Sequence, residues 1–221
     1  MKIILTGTTG MVGEGVLLEC LTNPTVTHVL SVSRKPCDHT HAKLDEYIVP
    51  DFLGLQTDDI RFKGYDACFF CAGISSVGLK EGEYTRITFD TTIHFAKVVL
   101  QQSPDAVFIY VSGGGTDSTE KGRSMWARVK GKTENTLAAM AFRNVYNFRA
   151  GFMKATKGQL HLLPLYKYIG WMYPLLNIVF PNGTSTLRQV ALAMIHLVHT
   201  DFGETIVTVK DMKKLANGRE H

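Results

Sequence analysis

Short apolar runs alternate along the chain with longer segments in which apolar residues recur at helical spacing. Unbroken apolar runs are typical of parallel strands buried on both faces, and the longer segments between them of crossover helices. Strands are predicted at residues 2–6, 28–33, 46–49, 67–71, 106–111, 145–148 and 205–209. Helices are predicted after the first strand, up to Asn23 and Pro24, and at about 83–102, 124–142 and 187–199. This order predicts an α/β fold in three layers, with a doubly wound and mostly parallel sheet.

The region from Tyr168 to Leu187 contains no charged residue. A run of this length could cross a membrane, but Pro174 and Pro181 interrupt it and polar residues dilute it, so a membrane span is not expected. We predict one domain over residues 1–221 in which 152–186 form a small helical lobe over the ligand cleft. An oligomer contact is an alternative use of its apolar residues, and attachment to a membrane surface is a lesser one. These residues are Trp171, Tyr173, Leu175, Leu176 and Phe180.

Composition narrows the class of protein further. The chain has 221 residues, of which 45% are hydrophobic and 20% charged, and this balance excludes a disordered polymer. The four cysteines are too few for a disulfide scaffold, and the apolar run at residues 3–5 is too short for a signal peptide, so a reducing, cytoplasmic location is expected. The net charge of +4 suits an anionic small ligand, and no long basic run favours nucleic acid.

Three glycines follow the first predicted strand at the start of the first helix. Gly7, Gly10 and Gly13 have the spacing G-x-x-G-x-x-G. Gly7 permits the strand-to-helix turn, Gly10 lets the backbone approach a pyrophosphate, and Gly13 allows the helix to pack closely on the sheet. Unpaired N–H groups and the positive helix end would then face the phosphates. The loop therefore predicts a dinucleotide site.

The residues after the second strand bear on the choice of dinucleotide. An NAD site usually has Asp or Glu there to bond the ribose hydroxyls, whereas this chain has Ser33, Arg34 and Lys35. Two cations suit a 2′-phosphate, so NADP is favoured over NAD. A solvated basic loop is the alternative interpretation.

Further motifs follow the glycine loop and the basic residues after the second strand. They are PDF from Pro50, CFFCAG from Cys68, VSGGG from Val111, VKGKTE from Val129 and FRAG from Phe148. With TGTTGMVG and SRKP, they resemble the short-chain dehydrogenase/reductase superfamily in its atypical branch, and in particular the Tat-interacting-protein-like and small nucleoside-diphosphate-sugar-epimerase-like members. The resemblance runs from residue 1 to about 151 and more loosely to the end. It implies an NAD(P)-binding Rossmann fold, with oxidoreductase or epimerase activity on a small carbonyl or hydroxyl compound.

The resemblance also implies a role for individual residues. The pyrophosphate would be held by the loop residues Gly7, Thr9, Gly10, Met11, Val12 and Gly13. The adenosine end would be held by Arg34 and Lys35 at its phosphate, Asp51 and Phe52 beside the adenine, and Cys71, Ala72 and Gly73 along the ribose. Ser112 would orient the substrate oxygen and Lys130 the nicotinamide ribose. The nicotinamide end would be lined by Ala150, Gly151 and Met153.

Trp126 departs from the family pattern. It stands four residues before Lys130, where the family's Y-x-x-x-K motif has its catalytic tyrosine. An indole N–H is only a hydrogen-bond donor and cannot exchange a proton at neutral pH as a phenol can. Two hypotheses follow: an enzyme that uses another acid or water, or an inactive NADP-binding regulatory module. Candidate replacement acids, among which spacing does not choose, are Tyr166, Tyr168, Tyr173 and His161.

Three further patterns are weaker. Cys68 and Cys71 would face opposite sides of a strand and cannot share a metal or a disulfide. The histidines in the sequence DHTH from Asp38 lack companion ligands, so no metal site is predicted. The glycines at 113–115 either let the substrate approach Ser112 or form a simple turn. Their place after the carboxyl end of a strand, where ligands bind in open α/β sheets, favours the first interpretation.

Overall fold

Seven strands form one parallel sheet in the computed structural model, which describes residues 1–162 and 173–218. With the two strands of a second sheet, β7 and β8, the strands in chain order are β1 Lys2–Thr6, β2 His28–Ser33, β3 Leu44–Ile48, β4 Ala67–Phe70, β5 Val107–Val111, β6 Asn144–Arg149, β7 Phe152–Lys154, β8 Thr184–Thr186 and β9 Ile206–Thr208. The spatial order of the large sheet is β3-β2-β1-β4-β5-β6-β9, and β7 pairs with β8 in a small separate sheet. This order is that of the doubly wound Rossmann fold, so the predicted fold class is confirmed.

Helices occupy the connections between the strands. They are α1 Met11–Thr22, α2 Glu81–Thr85, α3 Thr91–Gln102, α4 Met125–Ala138, α5 Tyr173–Val179, α6 Leu187–Leu197 and α7 Val209–Ala216. The single helix expected at 83–102 is divided, because a wider π-helical turn at Arg86–Asp90 separates α2 from α3. Neither α7 nor the β7–β8 pair was predicted.

The sheet separates two hydrophobic cores, and β4 shows how. Its residues Ala67 and Phe69 belong to the core formed with α1, α6 and α7. Cys68 and Phe70 belong to the core formed with α3 on the other face. Cys71 packs toward the first core, so the two cysteines lie on opposite faces, as the strand alternation predicted.

The chain reverses its direction of winding at β1. That strand pairs with β2 on one side and β4 on the other, with Thr6 opposite both Val32 and Phe70. The connections after β1 and β4 therefore leave toward opposite sides of the sheet, which opens a crevice at the carboxyl ends of the strands. The glycine loop, the SRKP and PDF motifs and the triple glycine follow strands that end at this edge, whereas VKGKTE lies within α4.

Part of the predicted C-terminal lobe is described. Phe180 is 61% exposed, and Tyr173 is half-buried, whereas Trp171 lies outside the described residues. The described helices include none with the length and apolar character needed to span a membrane. The loop at 156–161 lies against α1, where Gln159 donates a hydrogen bond to the Met11 carbonyl at 2.6 Å.

Candidate nucleotide-binding and catalytic site

Two of the three glycines in the loop between β1 and α1, Gly7 and Gly13, are required by the packing of the backbone. Gly7 has a positive φ of 77°, and a Cβ there would lie 2.7 Å from the backbone of Cys71 and Ala72. A Cβ on Gly13 would collide with the Gly7 carbonyl group. The loop, the first turn of α1 and the end of β4 are therefore held at backbone contact distance.

Gly10 begins α1 without a side chain to cap it. Its N–H donates to the Gly7 carbonyl at 2.9 Å, and its own carbonyl accepts from the Glu14 N–H at 2.9 Å. The first N–H groups of a helix, here those of Met11 and its successors, have no acceptor within the helix and lie at its positive end. This geometry can bind a diphosphate, and the half-buried Thr9 lies beside it.

Two hydroxyl contacts that sequence reasoning missed fix this loop against its neighbours. The Thr6 Oγ1 accepts a hydrogen bond from the Ala72 N–H at 3.1 Å, which joins β1 to the end of β4. The buried Thr8 and Ser31 hydroxyls are 2.8 Å apart, which joins the loop to β2. Threonines between glycines could have suggested such contacts, but their partners on other strands could not be read from the sequence.

A cavity of about 220 Å³ lies next to the loop, at the ends of β2, β3 and β4. It is lined by five of the residues assigned to the adenosine end, namely Arg34, Asp51, Phe52, Ala72 and Gly73. Asp51 also accepts a hydrogen bond from the Leu53 N–H at 3.0 Å and so caps the short helical turn Phe52–Gly54. Phe52 is 7% exposed and packs against Phe95. The structure thus brings together residues from three separate loops.

Arg86 lines the same cavity and was not identified from the sequence. The π-helical turn at Arg86–Asp90 lies opposite the turn that contains Arg34 and Lys35. Within residues 1–162 and 173–218, no carboxylate forms an ion pair with any of these three cations. An anionic group in the cavity would therefore meet unneutralised positive charge.

Ser112, at the end of β5, is only 6% exposed, and its hydroxyl is engaged inside the protein. The Oγ donates to the Glu134 carboxylate at 2.5 Å. Glu134 is itself buried in α4 and also accepts from Arg149 of β6, through Nε at 3.2 Å and Nη2 at 2.5 Å. Sequence reasoning missed Glu134 and Arg149 as a pair, because α4 and β6 meet only in the folded chain.

Lys130 lies one turn before Glu134 on α4. Its Nζ donates a hydrogen bond to the Ser112 carbonyl oxygen at 2.5 Å, so the two residues assigned to catalysis are in contact. Burial lowers the pKa of Lys130 to about 8, and the negative charge of Glu134 opposes part of that fall. The amine is therefore close to its titration point under physiological conditions.

Trp126 lies one turn before Lys130 and packs on the triple glycine. A Cβ on Gly115 would lie 2.8 Å from the indole Cη2, and one on Gly113 would lie 3.8 Å from its Cζ3. The Gly114 N–H donates to the Ala150 carbonyl at 2.9 Å. The glycines thus accommodate the indole ring and the end of β6.

The residues assigned to the nicotinamide end follow β6. A Cβ on Gly151 would collide with the backbone of Gly183, and Met153 lies opposite Ser185 in the small sheet. Cys71 is half-buried on the other side of the cleft, and burial raises the pKa of its thiol to about 12. The Cys71 thiol is therefore neutral and not a nucleophile at neutral pH.

The four candidate replacement acids have different positions. Tyr166 and Tyr168 lie outside the described residues. Tyr173 lies under the Lys154 ammonium, 5.4 Å from its ring centroid, and burial raises the pKa of its phenol. The backbone N–H of His161 donates to Glu14 at 2.8 Å on α1. Neither described candidate is hydrogen-bonded to Ser112 or Lys130.

The strand order and the similar solved structures define a Rossmann fold, the fold that the sequence resemblance implied. The solved structure of MoeE5 in complex with UDP-glucuronic acid and NAD is similar, with a TM-score of 0.66 and 14% identity over 95% of this chain and 76% of that one. UDP-glucose 4-epimerase from Thermotoga maritima gives a TM-score of 0.66 at 13% identity, over 99% of this chain and 82% of that one. The PhqB reductase domain from Penicillium fellutanum gives 0.65 at 17% identity, over 99% and 72%. At these identities the likeness establishes the fold.

Two curated proteins are similar in sequence. "Protein fmp52, mitochondrial" of Emericella nidulans is 25% identical over 159 residues, which are 69% of this chain and 66% of that protein. "Protein fmp52-1, mitochondrial" of Aspergillus terreus is 24% identical over 162 residues, 71% of this chain and 68% of that one. This chain thus spans about two thirds of the length of these relatives. No protein-family model matches it.

These relatives overturn one expectation. The few cysteines and the short apolar run at residues 3–5 predicted a cytoplasmic location, and that prediction is wrong, since both relatives are named as mitochondrial proteins. The physical reason is that free cysteines indicate only a reducing environment, which does not distinguish among the reducing compartments of a cell.

Proposed function

We propose that this protein binds NADP(H) and acts as an oxidoreductase or epimerase-type enzyme on a small carbonyl or hydroxyl compound. The observation that supports it best is the cavity of about 220 Å³, because Arg34, Asp51, Phe52, Ala72 and Gly73 converge there from three loops beside the glycine turn. The similar structures of MoeE5 and of WbmF from Bordetella bronchiseptica are complexes that contain NAD. We infer a nicotinamide dinucleotide here by analogy of fold and site.

The preference for NADP rests on charge. Arg34 and Arg86 line the cavity, Lys35 is adjacent, and the described part of the chain provides no carboxylate partner for them. A 2′-phosphate adds two negative charges and several acceptor oxygens at that point, whereas a ribose hydroxyl adds none. The cofactor with the phosphate is therefore expected to bind more tightly.

In the proposed arrangement each group has a role. The N–H groups at the start of α1 hold the diphosphate, the cavity holds the adenosine, and Lys130 holds the nicotinamide ribose. The bound dinucleotide supplies or accepts a hydride. Ser112 contributes through its backbone and its contact with Lys130, because its hydroxyl already donates to Glu134.

Calorimetric titration of the purified protein with NADPH and with NADH tests the cofactor assignment. We expect NADPH to bind at least about 10-fold more tightly, equivalent to about 1.4 kcal/mol. Arg34→Asp should reverse that preference, whereas Lys63→Asp, an equal change of charge at an exposed lysine that does not line the cavity, should preserve it. Equal affinities would contradict the phosphate assignment, and the absence of heat for both would contradict the dinucleotide site.

Trp126 favours a second function, an NADP-binding regulatory module without catalysis. Its indole fits against Gly115 and leaves a group that cannot exchange protons where the family has its tyrosine. A panel of aldehydes, ketones and quinones with NADPH, applied to the protein and to Trp126→Tyr, distinguishes the two functions. Turnover by the variant alone would establish the module, and turnover by the unchanged protein would establish the enzyme.

For location, we propose the mitochondrion, on the basis of the names of the two curated relatives. Immunoblots of fractionated cells that express the tagged full-length protein test this. Recovery with a mitochondrial marker is expected, and recovery with the cytosolic fraction alone would contradict it.

A further inference from the structure

We propose that the Lys130 ammonium group itself delivers the proton that a substrate oxygen takes up during carbonyl reduction. This assigns to the lysine the task for which Trp126 is chemically unsuited. The inference rests on the proposed function, and it identifies the acid that the proposed function leaves unassigned.

The neighbours of Lys130 cannot perform this task. The Ser112 hydroxyl is 6% exposed and its hydrogen is directed to Glu134. Glu134 is 2% exposed and is saturated by the Ser112 hydroxyl and two N–H groups of Arg149. The Ser112 hydroxyl and the Glu134 carboxylate are thus fully engaged with each other and with Arg149, which also donates to the exposed Ser118 hydroxyl, so neither is available to protonate a substrate.

The buried tyrosines near α4 are also unsuitable. Tyr110 of β5 and Tyr84 of α2 are 2% and 1% exposed, and burial raises the pKa of both phenols. They stay protonated throughout the physiological range and do not open into the cleft. Among the described residues, the charged groups of this network besides Lys130 are Glu134 on α4 and Arg149 on β6.

Lys130 has hydrogen-bonding capacity to spare. An ammonium group has three N–H bonds, and within the described part of the chain only one acceptor, the Ser112 carbonyl oxygen, is within reach. The nearest carboxylate, Glu134, is occupied by Arg149. Two N–H bonds of the ammonium group are therefore unpaired among the described residues, and in the proposed step one serves a ribose hydroxyl and the other a substrate oxygen.

The lysine is also a suitable acid at neutral pH. Because burial lowers its pKa to about 8, most molecules carry the proton at pH 7 and can release it readily. General acids work best when their pKa lies near the working pH. An exposed lysine, with a pKa of about 10.4, would hold its proton far more strongly.

Reduction of a carbonyl group in this way requires one hydride and one proton. The reduced dinucleotide supplies a hydride to the carbonyl carbon, and the π electron pair of the carbonyl moves to its oxygen. That oxygen forms a new O–H bond with a proton from Nζ, while the electrons of the broken N–H bond remain on nitrogen. The products are an alcohol, the oxidised dinucleotide and a neutral amine, which solvent then reprotonates.

The first test needs no substrate and no cofactor. In protein labelled with ¹³C at the lysine ε carbons, the Lys130 resonance is identified by its loss in Lys130→Arg, and in Lys130→Met should the first variant fold poorly. We expect this resonance to titrate near pH 8, and those of exposed lysines near about 10.4. A midpoint for Lys130 at the ordinary lysine value would overturn the proposal.

The second test separates proton delivery from cofactor binding. Arginine keeps the positive charge but not the acidity, since its pKa exceeds about 12. Lys130→Arg should thus bind NADPH within about 3-fold of the parent but reduce turnover of the carbonyl panel by at least about 100-fold. Adding Trp126→Tyr to this variant restores a phenol and should recover at least about 10-fold. Lys132→Arg is the matched control, because Lys132 is an exposed lysine of the same helix, α4, whose ammonium group lies over the Phe89 ring. This variant should leave turnover unchanged.

The remaining outcomes are also decisive. Undiminished turnover by Lys130→Arg overturns the proposal, and so does a loss of NADPH binding equal to the loss of turnover, because Lys130 would then only hold the cofactor. Turnover that does not fall above pH 8 speaks against it in the same way. If the parent protein reduces no compound of the panel yet binds NADPH, proton delivery by Lys130 is refuted while the dinucleotide site stands.

Discussion

At the scale of single residues, the glycines after β5 show how the Trp126 side chain limits which residues can lie next to it. The sequence left open whether residues 113–115 admit a substrate or only form a turn. In the structure, a methyl group on Gly115 would lie 2.8 Å from the Trp126 ring, and the Gly114 N–H reaches the Ala150 carbonyl. The glycines therefore serve packing inside the protein. A tyrosine at residue 126 would occupy less of this space than the indole does.

Gly13 gives a sharp prediction at this scale. In Gly13→Ala the new methyl group would overlap the Gly7 carbonyl, which is backbone and cannot rotate away. We expect the free energy of unfolding to fall by about 2–3 kcal/mol, because α1 must move off the loop. Urea unfolding measures the loss, and calorimetry should show NADPH binding weakened by at least about 10-fold in the same variant.

Gly82→Ala is the matched control for that substitution. Gly82 lies in α2, and no atom comes within 4 Å of a Cβ built there. Because alanine favours a helix over glycine, this variant should be more stable by about 0.5–1 kcal/mol with NADPH affinity unchanged. A similar stability in both variants would mean that α1 and the loop are not in backbone contact.

The site residues that sequence could identify are those with a local reason. Gly7 and Gly13 follow from the strand-to-helix turn, and the cationic Arg34 follows from its place after β2. Glu134 and Arg86 could not be identified in this way. Each lies on an unremarkable helical stretch, and only the packing of α4 on β6, or of the π-helical turn beside β2, gives it a partner or a cavity.

At the scale of elements, the predicted helix over 83–102 was nearly right but not continuous. The Thr91 hydroxyl donates to the Arg86 carbonyl at 3.0 Å, which spans the one residue inserted into the helical turn. This widening places Arg86 and Ile87 on the cavity wall. Hydrophobic spacing hardly changes across a single wide turn, so periodicity could not reveal it. The β7–β8 pair escaped prediction for another reason, since its strands are short and 30 residues apart.

A buried carboxylate of α1 holds the end of the loop at 156–161, beside the contact of Gln159 with the Met11 carbonyl. Glu14 accepts the N–H groups of Leu160 at 2.6 Å and His161 at 2.8 Å, and the His39 ring lies 2.8 Å from it. In Glu14→Gln the amide cannot accept all of these bonds, so we expect a loss of about 1–3 kcal/mol in the free energy of unfolding. Hydrogen exchange of the Leu160 and His161 amides should accelerate more than that of the β1 amides. Glu83→Gln, at an exposed residue of α2, should change neither measurement.

The same carboxylate gives a pH dependence with a definite sign. Burial raises the pKa of Glu14, but the N–H groups of Leu160 and His161 and the His39 ring outweigh it, so the pKa lies below the ordinary 4.5. The unfolded chain therefore binds this proton more readily than the folded one. The stabilisation is complete above pH 4.5 and is lost as the pH falls through the native value. The stability difference between the parent and Glu14→Gln should thus narrow between pH 6 and pH 3. A difference that is constant or widens toward acid would contradict the assignment.

At the scale of the whole molecule, the four cysteines are distributed over both hydrophobic cores, so their reactivity depends on whether each core is intact. Cys20 belongs to the core with α1 and α6, and Cys68 to the core with α3. Cys20, Cys37 and Cys68 are completely buried, while Cys71 is half-buried next to the glycine turn. Burial raises the pKa of all four thiols. Modification of Cys20 and Cys68 by a thiol reagent at pH 8 therefore requires the sheet to separate from its helices.

This burial turns thiol labelling into a measure of cofactor binding by the folded protein. A ligand that binds only the folded state stabilises it by about 2.7 kcal/mol at a concentration 100 times its Kd, which slows labelling through the open state about 100-fold. We expect NADPH to have this effect on Cys20 and Cys68. NADH at the same concentration should slow their labelling only about 10-fold, because its expected affinity is one tenth. Ellman's reagent followed at 412 nm measures the rates, with unfolded protein giving all four thiols. Arg34→Asp should exchange the order of the two cofactors, because the charges beside the cavity, and not the core, set the difference. Equal protection by both cofactors in the parent protein would show that the 2′-phosphate makes no contact in the folded state.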